Sequence, residues 1–394
     1  MSKIDDLIKE LCPDGVEFKR LGEVCKKLKS ASISAKDLKN LSDVNGDIRL
    51  LSTGNFDGFT TIKKTNGFFE VGEVVTIPTG GSASLKYHNG KFINSLNHIL
   101  TSETENVRYI YHFLLSKKDL IESYFRGSGV KHPDMKSIFE IRIPIPPLEV
   151  QKEIVRVLDL FTELEAELEA ELEARKKQYE YYRNTLLTFG DSAAWKPMGE
   201  TGELIRGNGL QKKDFTDEGF PCIHYGQIYT YYGTFAKETK SFVSCSLAEK
   251  LVKAECGDVI ITNTSENIDD VGKAVAWCGR QAVATGGHAT VFKPKLVSGK
   301  YFAYYSQTGN FYKEKKRYAK GTKVVDVSAK DMSKIKIPIP PLEKQKHIVS
   351  ILDKFEKLTN DISVGLPAEI EARRKQYEYY RNKLLTFKEL ECSR

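Results

Sequence analysis

Two stretches of the chain carry apolar side chains at helical spacing. Leu168, Leu172, Arg175, Tyr179, Tyr182, Leu186 and Phe189 follow in steps of three and four, and Leu366, Ile370, Arg373, Tyr377, Tyr380, Leu384 and Phe387 repeat the pattern. Such spacing lines one helical face and predicts a coiled-coil seam, for which the near-identical stripe in the other copy is the expected partner. Antiparallel pairing of the two stripes would give the chain an approximate twofold axis with a variable domain at each end. Two amphipathic helices packing separately on their own domains is the alternative. Between the stripes, β-rich runs at residues 73–77 and 258–262 are bounded by Gly and Asn, and short helical patterns cover 109–116 and 301–308. An α+β or α/β domain is expected in each intervening segment.

The periodicity belongs to a longer internal repeat. IPIPPLEVQKE at 143–153 recurs as IPIPPLEKQKH at 337–347, identical at nine of eleven positions, and ARKKQYEYYRNTLLTF at 174–189 recurs at 372–387, identical at fourteen of sixteen. The offset grows from 194 to 198 between the blocks, so the later copy holds four extra residues, about one helical turn. Around Gly365-Leu366-Pro367 the later copy has turn chemistry, where the earlier one runs through Leu-Glu-Ala-Glu repeats at 164–174 without interruption. One continuous helix is therefore expected in the first copy, and helix, turn, helix in the second. The segments 1–142 and 190–336 differ strongly, yet Phe18 to Glu23 sits like Trp195 to Glu200, Gly72-Glu73-Val74-Val75 like Gly257-Asp258-Val259-Ile260, and Gly127 and Gly321 each stand sixteen residues before the IPIPP isoleucine. The organisation is variable segment 1–142, helical region 143–189, variable segment 190–336, helical region 337–394.

Composition and missing motifs narrow the class. The 394 residues suit about two to four domains of roughly 100–200 residues, and 40% hydrophobic with 10% aromatic residues is too apolar for a disordered chain. A net charge of +7 is compatible with a polyanionic partner but does not demonstrate one. Neither a long apolar span nor a signal-peptide core is present in the sequence, and a cytoplasmic location is expected. Cys12, Cys25, Cys222, Cys245, Cys256, Cys278 and Cys392 never form C-x-x-C, and the seven histidines show no metal spacing. No phosphate loop, H-E-x-x-H, G-x-S-x-G or N-P-P-[FY] occurs, so no catalytic or metal residue is assigned and autonomous catalysis is not expected. Gly127-Ser128-Gly129 and Gly207-Asn208-Gly209 read as glycine turns, and His98 and His288 as structural rather than catalytic residues.

The duplicated IPIPPLE-x-Q and KQYEYYR motifs (RKQYEYYR in the later copy), each after a variable segment, resemble the specificity subunit of type I restriction-modification systems over the whole chain. The resemblance implies a mixed α+β fold: two globular target recognition domains separated by two long helical regions that form an antiparallel coiled coil. It also implies a sequence-specific DNA-binding subunit, each domain reading half of a bipartite target. The helices would set the spacing and dock two methyltransferase subunits. S-adenosylmethionine would then sit on the methyltransferase chains, ATP and Mg on a restriction subunit, and no cofactor on this chain. A helical adaptor joining two partner proteins without touching DNA is the alternative.

Candidate contacts follow from residue type. The run 311–323 interleaves aromatics with bases, so Lys313, Lys316, Arg317, Lys320 and Lys323 are candidate DNA contacts, as are Arg126, placed opposite Lys320, and Lys131. A solvated helix flank is the other reading of this cluster. Tyr225-Gly226-Gln227 aligns with Thr53-Gly54-Asn55, and Gln227 or Asn55 has the amide that bonds adenine bidentately, with Tyr225 beside it; a polar turn fits equally. Gln178, Arg183, Gln376 and Arg381, identical but off the seam, are assigned to partner binding together with Gln151 and Gln345 of the proline motif.

Overall fold

The computed structural model describes residues 2–190, 193–361 and 364–391. The chain divides into two compact units, Met1–Glu167 with Ile370–Arg394, and Leu168–Glu369. Cys12, Cys25 and Cys222 are buried, Cys245 and Cys256 exposed, and Cys392 lies outside the described residues. Among the described residues no helix is long and apolar enough to cross a membrane.

The first unit holds a six-stranded sheet in the order Lys26–Leu28, Asn97–Thr101, Glu70–Pro78, Lys86–Asn94, Ile48–Leu51, Phe59–Thr60. Alternation along Glu70–Pro78 sends Val75 and Ile77 into one core with Tyr109, Phe113 and Leu114 of the helix Val107–Ser116, and Val74 into another with Leu51, Phe92 and Ile99. The second unit has two larger sheets among the described residues: Gly202–Arg206, Ala289–Pro294, Val259–Thr262, Ala274–Trp277 and Phe235–Ala236 form one, and Ser241–Val243, Phe220–Ile223, Val283–Thr285 and Val252–Ala254 the other. Val259 and Ile261 pack with Tyr301, Phe302 and Tyr305 of the helix Gly299–Tyr305, while Ile260 packs with Val275 and Val291. The strands expected at 73–77 and 258–262 and the helices expected at 109–116 and 301–308 are thus present, each shifted by a few residues.

Both proline motifs are built alike. Arg142–Ile145 pairs antiparallel with Glu17–Arg20, and Lys336–Pro338 with Trp195–Pro197, the segments that sequence correspondence had matched. Helices begin at Leu148 and Leu342 immediately after the double prolines. The motif glutamines close the joint. Gln151, fully buried, accepts from the backbone N–H of Asn106 at 3.0 Å and donates to the Pro146 carbonyl at 2.8 Å and to Glu105 at 2.7 Å. Gln345, 1% exposed, accepts from Ser298 N–H at 2.8 Å and donates to the Pro340 carbonyl at 2.9 Å. Asn106 and Ser298 in turn cap the helices Val107–Ser116 and Gly299–Tyr305. This corrects the assignment of Gln151 and Gln345 to partner binding: their amides are spent inside the fold.

The repeat also behaves as expected along its length: Leu148–Leu186 is one helix of 39 residues, whereas the later copy gives Leu342–Asn360 and Leu366–Leu384. The stripes are covered by a different partner from the one expected. In the first unit Tyr380 stacks on Phe161 at 5.4 Å and Arg374 pairs with Glu165, so the two segments run antiparallel. In the second, Tyr179 and Tyr182 stack on Phe355 at 6.2 and 5.4 Å, and the Tyr179 hydroxyl donates to Glu356. The tyrosine end of each stripe therefore lies against the helical segment that follows the other copy's proline motif, where Ile154, Leu158 and Phe161, or Ile348, Leu352 and Phe355, supply an apolar face of their own at steps of four and three. Leu168, Tyr179, Leu366, Ile370, Tyr377 and Leu384 are buried, Leu172, Leu186 and Tyr380 half-buried, and Tyr182 exposed.

The two helix joints differ in chemistry. Buried His112 meets Asp159 at 2.8 Å through Nε2 and the Tyr377 hydroxyl at 3.1 Å through Nδ1, and Arg108 donates to the same carboxylate. Burial lowers the His112 pKa below the ordinary imidazole value, so the ring is neutral, with Nε2–H donating to Asp159 and Nδ1 accepting from Tyr377. At the corresponding place in the second unit, Tyr304 and Lys300 bond Asp353.

Two outcomes follow. Gln345→Leu strands the Ser298 N–H and the Pro340 carbonyl and should cost about 2–4 kcal/mol in urea denaturation, whereas Gln376→Ala should stay within about 0.5 kcal/mol. An unfolded histidine takes up a proton below pH ~6.5 that buried His112 resists, so stability falls as pH drops through that value. The urea midpoint of His112→Gln should therefore gain on the native chain between about pH 7 and 5; a constant gap would contradict the assignment.

Candidate nucleic-acid interface

In each unit a glycine hairpin carries basic candidates, Arg126 and Lys131 in the first and Lys320 and Lys323 in the second, whereas Lys313 and Lys316 lie on the helix Gly309–Lys316 and Arg317 at its end. Arg126 pairs with His132 across a two-residue ladder, and Lys320 bridges Asp326 with backbone bonds of 2.9 and 2.8 Å. The turns need Gly127 at φ +144° and Gly321 at φ +99°, where an added Cβ would come within 2.8 Å of the Val130 carbonyl and 2.0 Å of the Val324 carbonyl. The expected equivalence of Arg126 and Lys320 is realised in the register itself. Each hairpin is tied to a strand-end loop: His132 Nδ1 meets the Thr79 carbonyl at 2.6 Å and Gly81 N–H donates to Lys131, while Val325–Asp326 pairs with Thr264–Ser265.

Arg126, Lys131, Lys313, Lys316, Arg317, Lys320 and Lys323 are all exposed. Two of these charges are shared. Lys320 bonds Asp331 at 3.0 Å, where Lys334, Lys320 and Ser328 together hold that carboxyl far below the usual carboxylate range, and Arg317 pairs with Glu314. Lys315, in the same run, is buried: it donates to the carbonyls of Asp269 and Val271, and burial lowers its pKa to about 8. It pins a loop and is no surface charge.

The amide candidates separate. Asn55 is exposed in the loop between Ile48–Leu51 and Phe59–Thr60, a loop that Lys86 secures by bonds to Ser52 and the Gly54 carbonyl. Gln227 lies instead in the helix Tyr225–Thr230; it accepts from His224 N–H at 3.0 Å and donates to Ser241 at 2.7 Å. Both ends of its amide are engaged within the fold, a helix-capping role beside the expected adenine contact. Tyr225 packs between His224 at 4.5 Å and His288 at 4.8 Å.

The off-seam residues repeat faithfully. Arg175 donates to Gln178 and Arg373 to Gln376, and the Arg183 and Arg381 guanidiniums lie over the rings of Tyr179 and Tyr377 at 5.6 and 5.2 Å. Gln376 is exposed; Gln178, Arg183 and Arg381 are half-buried.

The family model described as the type I restriction modification DNA specificity domain matches twice, over residues 13–174 and 194–372. The chain belongs to the type I restriction-modification specificity family. A putative type I restriction enzyme specificity subunit of Haemophilus influenzae is 33% identical over 94% of this chain and 96% of its own length. The EcoR124I/EcoR124II specificity subunit of Escherichia coli is 31% identical, covering 98% of each. The crystal structure of an S subunit from M. genitalium shares the fold with a TM-score of 0.60 at 16% identity, over 94% of this chain and 96% of that one.

Within this specificity chain two further groupings emerge that sequence reading did not reveal, the first of residues it left unassigned, the second joining Tyr225 and the structural His288 to His224. Tyr181 and Tyr379 are 66% and 63% exposed, each held edge-on by its neighbour, Tyr182 or Tyr380, at 5.5 and 5.3 Å. Their signal was present: both belong to the identical QYEYYRN, one position off the seam. The other is the cluster of His224 and His288 around Tyr225, joined through space by residues 64 positions apart. Among the described residues, no group of three or more His, Cys, Asp or Glu stands where it could hold a metal ion.

Proposed function

We propose that this specificity chain reads a bipartite DNA sequence, segment 1–142 contacting one half and segment 190–336 the other, and that it has no catalytic step of its own. The observation that carries this reading is a constant frame with unlike faces. Proline joint, glutamine clamp and glycine hairpin recur, while the hairpin ladders carry Arg126 with His132 in one unit and Lys320 with Asp326 in the other. The strand-end segments differ likewise, a loop at Asn55 against a helix at Gln227. Two different half-sites demand that combination. The repeated off-seam surfaces, centred on Tyr181 with Gln178 and on Tyr379 with Gln376, suit two copies of one partner, a methyltransferase subunit. That partner would supply S-adenosylmethionine and the pocket for a flipped adenine, with ATP and Mg on a restriction subunit, all in the cytoplasm.

Helix length is the spacer in this reading. Each residue adds 1.5 Å, so a Leu-Glu-Ala-Glu unit moves a helix end by about 6 Å, on the scale of one or two base pairs at ~3.4 Å each.

Mapping methylated adenines in cells carrying the complete system is expected to reveal a split target; a continuous one, or none despite active partners, would favour the protein-only adaptor. Deletion of residues 168–171 should keep both half-sites and shorten the gap, and methylation at the original spacing would contradict the spacer role. Replacing Arg126 and Lys131, or Lys320 and Lys323, by Ala should flatten the salt dependence of DNA binding by about one unit of log–log slope per lost phosphate contact.

A further inference from the structure

One cavity of the second unit joins features that the hairpins do not use. It encloses about 340 Å³ and is lined by Gln211, Lys212, His224, Tyr225, Gly287 and His288, among others. Glycine backbone lines part of it, Gly209 at φ +64° and Gly287, and next to them Gly207 lies so near Gly286 that a Cβ would fall 2.2 Å from its carbonyl. Asn208, between Gly207 and Gly209, is fixed by bonding the Lys250 carbonyl at 2.8 Å and Val252 N–H at 3.1 Å. The Gly207-Asn208-Gly209 turn thus opens a preformed slot beside the aromatic stack.

We propose that this pocket of Lys212, His224, Tyr225 and His288 reads a guanine of the second half-site through its N7 and O6 edge. The inference rests on the DNA-reading function proposed above and names where one base of that target is recognised. The protonation pattern selects the base. His224 Nδ1 accepts from Gly226 N–H at 3.2 Å, so the neutral ring carries its proton on Nε2, which has no protein partner among the described residues. Burial, with Lys212 and His288 nearby, lowers the His224 pKa and keeps that ring neutral. The residue is 94% buried, so this donor is fixed before any ligand arrives. Lys212 adds a second donor and no acceptor. In the major groove guanine presents two adjacent acceptors, whereas adenine and cytosine present an amino group and thymine one acceptor beside a methyl. The two neighbouring donors, His224 Nε2 and Lys212, therefore favour guanine. Tyr225, wedged between the two imidazoles, sets the floor, and Thr264, 3.0 Å from His288 Nδ1, positions the outer ring.

The test uses the complete methyltransferase assembly and duplexes bearing its mapped target, with 7-deazaguanine replacing each guanine in turn. One guanine of the second half-site should lose about tenfold in affinity when its N7 is removed, and first-half-site behaviour should be unaffected by pocket variants. Because His224 also caps a helix, the informative variants are Lys212→Ala and His288→Ala, which should weaken the native site and abolish most of the 7-deazaguanine penalty. A second half-site without guanine, or a penalty that Lys212→Ala leaves intact, overturns the pocket while the chain still reads split DNA. An assembly with no split-sequence preference at all would instead overturn the underlying function.

Discussion

A globular domain and a helix keep a fixed relation only if some group ties the strand that ends one to the turn that begins the other. Here that group is a glutamine amide. After a double proline the chain has a carbonyl that no helix or strand claims, and the neighbouring short helix begins with backbone N–H groups that need acceptors. A planar amide carries one acceptor and two donors, so Gln151 or Gln345 satisfies both at once. Buried with nowhere else to bond, it converts a flexible junction into a corner. Everything distal depends on it, since the helix direction after the prolines and the capped helix of the domain share the same anchor.

That corner is copied, and the copies diverge only where chemistry permits. Tyr109 and Tyr301 both donate to a motif carbonyl, of Pro144 and Pro338, so the tie from domain helix to strand is preserved. One residue before and three after these tyrosines, Arg108 and His112 become Lys300 and Tyr304, yet the acceptor remains a repeated aspartate, Asp159 or Asp353. The geometry of the joint therefore survives exchange of its donors. Such tolerance is what a family needs if the domains are to vary while the helices stay alike.

The sequence was most legible where the signal is local. The strands around Val74 and Ile260, the helix break near Gly365 and the glycine hairpins at 127 and 321 all follow from alternation or turn chemistry within a few residues. It was least legible where a residue's role is set by a distant partner. Gln151 meets Asn106 across 45 positions and Gln345 meets Ser298 across 47, so an exactly repeated polar residue looked like a docking surface when it is a core clamp. Gln227 is ambiguous for a related reason, because an amide shaped to bond adenine is equally shaped to cap a helix. The stripes were read correctly as seams, but their cover was misassigned because Phe161 and Phe355 fall outside both strongly matched blocks.

The distribution of charge adds a last constraint on how such a chain meets a polyanion. Of the basic residues near the second hairpin, Lys315 is withdrawn into the core, Arg317 is paired with Glu314 and Lys320 with Asp331. Exposed Lys313, Lys316 and Lys323 are left as the least committed cations at this surface, in a chain whose net charge is a modest +7. Long-range attraction alone would be weak and indifferent to sequence, since phosphate contacts carry no base information. Discrimination must then come from groups fixed in advance, whose donors and acceptors are set by internal hydrogen bonds rather than by the ligand. In the second unit the buried imidazole of His224, oriented by Gly226, meets that condition.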